Sequence, residues 1–100
     1  MNGIDVLVLL EIEGLEDKVK FEKYVSKEGF IPIEGETFAY SGNSTTTTFS
    51  TKAYILEVFK KALQNNSFTK ANLVFLLNEI AYPPYYYDKN TNDFEEVKQQ

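Results

Sequence analysis

The sequence predicts an α+β sandwich, with two helices on one face of an antiparallel sheet. Three observations carry this. Residues 4–12 and 71–80 are apolar at successive positions, as in strands covered on both faces. Residues 15–27, and a second segment from Ser50 or Thr51 to about Asn66, carry apolar side chains at helical spacing. Between the helices lie turn-forming and β-branched residues, which read as a hairpin. The chain has 100 residues, 43% hydrophobic and 25% charged, which fits a single domain over 1–100.

Each element has a local reason. In the first strand Val6, Leu7, Val8, Leu9 and Leu10 are all apolar, and Gly14 ends the run. The first helix groups Leu15, Val19, Phe21 and Val25 on one side. Glu16 and Asp17 near its start and Lys27 near its end suit the macrodipole. Residues 30–40 read as a strand interrupted by Pro32 and Gly35, which argues for an edge or a bulge. Residues 41–44 read as a turn, and residues 45–49 as the short strand closing the hairpin. The second helix has an apolar arc of Ile55, Leu56, Val58, Phe59, Ala62 and Leu63. After the strand at 71–80, Pro83-Pro84 punctuates the chain. Tyr85-Tyr86-Tyr87, an Asp/Asn-rich turn and Phe94 then form a C-terminal hairpin over 82–97. The β-α-β-β-α-β order of residues 4–80 closes most simply as a ferredoxin-like sandwich, to which the hairpin is added. The expected core includes Val6, Val8, Leu10, Leu56, Phe59, Leu63, Phe75 and Leu77.

Composition removes much chemistry. With no His, Cys or Arg, there is no imidazole base, thiolate nucleophile or guanidinium fork for phosphate. A formal charge of −5 and a pI near 4.7 argue against nucleic acid as a partner. No apolar run is long enough to span a membrane as a helix, and the start of the chain lacks the pattern of a signal peptide. The expectation is a cytoplasmic protein without a cofactor.

Four constellations are left as candidates. Glu11 and Glu13 share one strand face, and Glu34 and Glu36 share another. Carboxylates so placed suit a hard cation such as Mg²⁺, or they mark where a strand leaves the core for water. The hydroxyl-rich stretch 41–48 has a Gly but lacks the Gly-Lys-Ser/Thr of a phosphate loop. Ser50-Thr51-Lys52 opens a helix as an ordinary cap or an anion cradle. Asp88, Asn90 and Asn92 have the spacing of calcium ligands, but Asp93 and Gln99 stand where Gly and Glu are needed. Finally, Tyr82, Tyr85, Tyr86, Tyr87 and Phe94 form an aromatic set suited to binding a protein partner.

The element order, with an acid closing an apolar first strand in Leu10-Glu11-Ile12-Glu13, resembles the Cas2-like ferredoxin-fold nucleases and related toxin–antitoxin ribonucleases. The resemblance covers residues 4–80 as topology. It implies a metal-binding carboxylate at that position, where this chain has Glu11 and the family typically has Asp. Two alternatives therefore accompany the leading expectation of a small acidic, non-enzymatic interaction or regulatory module, homodimeric or bound to another protein. One is a Mg²⁺-dependent nuclease or phosphoesterase using Glu11 and Glu13. The other is a small-molecule-sensing domain.

Overall fold

The computed structural model describes residues 3–98. The elements are β1 (Ile4–Glu13), α1 (Lys18–Lys27), β2 (Ile31–Pro32), β3 (Ala39–Ser44), α2 (Thr48–Gln64), β4 (Lys70–Leu77), β5 (Ile80–Ala81), β6 (Tyr85–Asp88) and β7 (Asp93–Glu96). The strands form one sheet in the order β2-β3-β1-β4-β6-β7, with β5 also paired to β4. Every strand pairing is antiparallel. The fold class is mixed α+β, as the sequence predicts.

Capping sets where the helices begin. The Asp17 carboxylate accepts from the Lys20 backbone N–H at 3.0 Å, so α1 starts at Lys18 rather than near Leu15. Thr47 Oγ1 accepts from the Ser50 N–H at 3.1 Å, so α2 starts one turn before the expected cap at Ser50 or Thr51.

The hairpin between the helices is shifted from its expected position. Residues 45–49 form no strand. Instead β2, from the early part of the expected strand 30–40, pairs with β3, which joins the end of that strand to residues 41–44, expected as a turn. Two left-handed residues between them, Gly35 at φ 85° and Phe38 at φ 54°, break the extended run. Gly42 lies inside β3 rather than in a turn. A Cβ there would sit 3.1 Å from the Gly29 carbonyl oxygen, so the glycine answers a close backbone approach. Similarly, β4 stops at Leu77, because Asn78 and Glu79 both take positive φ and form a two-residue connection to β5.

Both helices pack on one face of the sheet. Val6, Val8 and Leu10 of β1 and Ala71, Leu73, Phe75 and Leu77 of β4 point toward them and are buried. Of the expected core, only Leu56 is half-buried, because it lies at the margin of the α2 apolar arc. The centre is aromatic. Phe59 lies 5.0–6.1 Å from the rings of Phe30, Tyr40 and Phe21.

Tyr40 is fully buried and donates its hydroxyl to Glu22 Oε2 at 2.9 Å. Burial, then that hydrogen bond and the Glu22 charge, hold its pKa well above the ordinary phenol value near 10. The unfolded chain ionises at that ordinary value while the folded chain does not. Tyr40 therefore costs nothing below about pH 10 and destabilises the fold progressively above it. We expect urea-unfolding stability to decline less steeply above about pH 10 in Tyr40→Phe than in the native chain. Parallel declines in the two proteins would contradict this placement of Tyr40.

The C-terminal hairpin is part of the sheet. β6 pairs with β4 at Asn72↔Tyr86 and Leu73↔Tyr85, along the edge that β5 occupies further on. Pro83 and Pro84 do not carry the hairpin away from the body. Instead Tyr82-Pro83-Pro84 runs beside β4, with the Tyr82 N–H donating to the Phe75 carbonyl at 3.1 Å. Among the described residues, no helix is long and apolar enough to cross a membrane.

Candidate functional site

The sheet has a second face on which no helix lies among the described residues. The described residues measure 39 × 35 × 22 Å, and the short dimension is filled by one sheet and one helical layer of ~10–12 Å. Strand alternation places Asp5, Leu7, Leu9, Glu11 and Glu13 of β1 on this open face, together with Lys70, Asn72, Val74 and Leu76 of β4.

The register arranges these residues in rows across the strands. One apolar row runs Ile31–Ser41–Leu7–Leu76–Ala81. The next runs Ala39–Leu9–Val74. Leu9 is 40% exposed and Ile31 54% exposed, while Leu7, Val74 and Leu76 are half-buried. The row beyond is Glu11–Asn72–Tyr86–Glu95, followed by Glu13 opposite Lys70. On the other side of the apolar band stands Asp5 opposite Asn43. The open face is thus an apolar band with acidic margins.

Charge is divided between the two faces. Seven of the ten lysines lie on α1 and α2: Lys18, Lys20, Lys23 and Lys27 on the first, and Lys52, Lys60 and Lys61 on the second. Two of the three ion pairs among the described residues lie within that layer, and the third joins it to β7. Lys60 and Lys61 each pair with Glu57, and Lys60 reaches Asp93 at 3.8 Å. On the open-face rows, Lys70 is the one cation among Asp5, Glu11, Glu13 and Glu95.

The four candidate metal ligands fall in two separate places. Glu11 and Glu13 are exposed at the end of β1. Glu34 and Glu36 are exposed in the segment between β2 and β3, not on a strand as expected. Among the described residues, no group of three or more carboxylates is placed to hold a metal ion.

The aromatic set divides as well. Tyr85 is buried and stacks on Phe75 at 6.1 Å. Tyr87 is buried, receives a hydrogen bond from Gln64 Nε2 at 3.1 Å, and meets Phe68 and Phe94 edge-on. Phe94 is buried too. These three rings fill the interior of their own chain, which corrects their expected place on a partner-binding surface. The reason is the pairing of β6 with β4, which turns alternate hairpin residues under α2. Tyr82 is half-buried and stacked on Phe75 at 5.2 Å. Tyr86, 40% exposed, is the member of the set that lies on the open face.

The hydroxyl-rich segment satisfies itself. Ser44 Oγ and Thr51 Oγ1 lie 2.6 Å apart, and Thr51 Oγ1 donates to the Thr47 carbonyl at 2.8 Å. These groups border a cleft of about 230 Å³ floored by Phe30 and Ile55. The calcium-like spacing is a turn, with Asp88 Oδ1 accepting from the Asn90 N–H at 2.8 Å, and Gln99 lies outside the described residues.

No family model, curated protein or solved structure matches the chain. The surface with a distinct physical character is the open sheet face, an apolar band with acidic margins. Its signal in the sequence is the run Val6–Leu10, which is apolar on both sides of the pleat although two helices can cover only one side.

Proposed function

We propose that this chain is a small acidic, non-enzymatic interaction module that works through its open sheet face, and that it self-associates there as a homodimer. The fold behind this reading is a ferredoxin-like sandwich of β1 to β4 with α1 and α2, extended at one edge by β5, β6 and β7. Support for it is the order β2-β3-β1-β4 with antiparallel neighbours and both helices on one face.

The observation that carries the functional reading is the apolar band of Leu7, Leu9, Val74 and Leu76 on a sheet face that no helix among the described residues covers. Contiguous apolar surface of this kind marks interaction sites. The size is adequate. The seven strands hold 36 residues, which at ~4.8 Å by ~3.4 Å each give roughly 600 Å² before side-chain relief, three quarters of the ~800 Å² per partner of a standard interface. The chemistry-bearing carboxylates, by contrast, are exposed and scattered.

Sedimentation equilibrium tests the reading. We expect a dimer at about 50 micromolar that tightens as salt rises, because the acidic margins of the two copies repel. Leu9→Lys should be folded and monomeric. A native chain that remains monomeric at that concentration overturns the homodimer. Metal-dependent cleavage of RNA or DNA, abolished by Glu11→Gln, would replace the reading with the nuclease alternative.

A further inference from the structure

We propose that the open sheet face also takes a basic amphipathic helix from another protein, in competition with the second copy. This rests on reading the open face as the working surface and names a partner that fits it better than the chain's own copy does.

The argument begins with shape. The apolar band crosses the strands from Ile31 to Ala81, a span of ~19 Å over β2, β3, β1, β4 and β5. Its two rows are ~7 Å apart. A helix ~10–12 Å in diameter covers both rows, and ~13 residues at ~1.5 Å each cover the span. One apolar stripe on such a helix would meet Leu7, Leu9, Val74 and Leu76. The recognition would follow the helix-in-groove mode, with the apolar band of the sheet in place of a groove.

Charge selects the partner. Glu11, Glu13 and Glu95 stand on one side of the band and Asp5 on the other, with Lys70 as the one opposing cation. A second copy brings the same acids to the same margins. A nucleic acid or an anionic lipid surface is repelled outright. A helix with lysines or arginines flanking its apolar stripe meets opposite charge on both sides, which raises both specificity and on-rate. Tyr86, exposed between Asn72 and Glu95 in the acidic row, offers its ring face to one of those cations.

The test uses the full chain and two synthetic 14-residue helical peptides that share one leucine stripe. One carries lysines on the flanks and the other glutamates. We expect the lysine peptide to bind at low micromolar concentration and to shift the amide resonances of Leu7, Leu9 and Tyr86. Its affinity should fall about tenfold between 50 and 300 mM salt, opposite in sign to the dimer. The glutamate peptide should bind at least ~30-fold more weakly. The double variant Glu11→Gln, Glu95→Gln should weaken the lysine peptide about threefold to tenfold while leaving the dimer as tight or tighter. Equal binding of the two peptides, or shifts confined to α1 and α2, overturns the proposal. So does a dimer that forms while neither peptide binds, and the homodimer reading then stands alone. Lysine-peptide binding to a chain that never dimerises upholds the proposal and removes the homodimer.

Discussion

A chain ending at Ala81 should lose cooperative folding. That truncation removes Tyr85, Tyr87 and Phe94, each less than 10% exposed. Burying a large apolar side chain is worth ~1.5–3 kcal/mol, so the three rings together supply about 4.5–9 kcal/mol. A domain's whole stability is only ~5–15 kcal/mol. The loss continues into what remains. Phe75 gives up its stacking on Tyr82 and Tyr85, and Phe68 gives up its edge contact with Tyr87. β4 also loses β6, leaving an unpaired sheet edge beside exposed apolar surface, which invites aggregation. The measurement is a thermal melt followed by near-ultraviolet circular dichroism. We expect a sharp transition for the full chain and none for the truncated one. A truncated chain that melts cooperatively within about 5 °C of the full chain, a shift of only ~1 kcal/mol, would return the hairpin to the status of an appendage. The same arithmetic makes truncation unsuitable for testing self-association, which Leu9→Lys tests without touching the core.

What could be read from the sequence follows from how local each cause is. β1, β4 and the two helices are encoded by runs and periodicities within a single window, and they appear where those patterns place them, with ends shifted by about a turn where a cap or a positive φ sets the boundary. The larger errors lie where a residue answers a distant neighbour or takes a backbone conformation its type does not announce. Gly42 reads as a turn because glycine usually is one, yet it serves the approach of the Gly29 carbonyl, thirteen positions away. The connection at Asn78-Glu79 has no glycine to announce it, and Glu79 takes φ 68° without one. The candidate surface was half legible. Leu7 and Leu9 are apolar on the side of β1 that two helices cannot reach, which is visible in the run itself. The hairpin tyrosines were not legible in the same way. Alternation puts Tyr85 and Tyr87 on one face and Tyr86 on the other, but only the pairing with Asn72 and Leu73 decides that the first face is the chain's own interior.

Phe59 is the single side chain whose removal should cost most, because three separate segments meet on it. Its ring lies 6.1 Å from Phe21 of α1, 5.0 Å from Phe30 at the entry to β2, and 5.6 Å from Tyr40 of β3. It has no exposed surface. Phe59→Ala therefore loses the transfer energy of the ring and leaves a cavity that three large aromatic neighbours cannot easily fill. The expected cost is ~3–5 kcal/mol in urea unfolding. Leu56, one turn earlier on the same helix, looks equivalent in the sequence but is half-buried. Leu56→Ala should cost about 1 kcal/mol, below the range for fully buried leucines. The contrast between the two sites tests the rotation of α2 about its own axis. If Leu56→Ala cost as much as Phe59→Ala, the helix would be turned so that Leu56 faces the sheet. Phe59→Leu guards the test against a variant too unstable to measure. It keeps most of the buried volume and should fall between the two, at about 1–2 kcal/mol, with the urea dependence of unfolding unchanged.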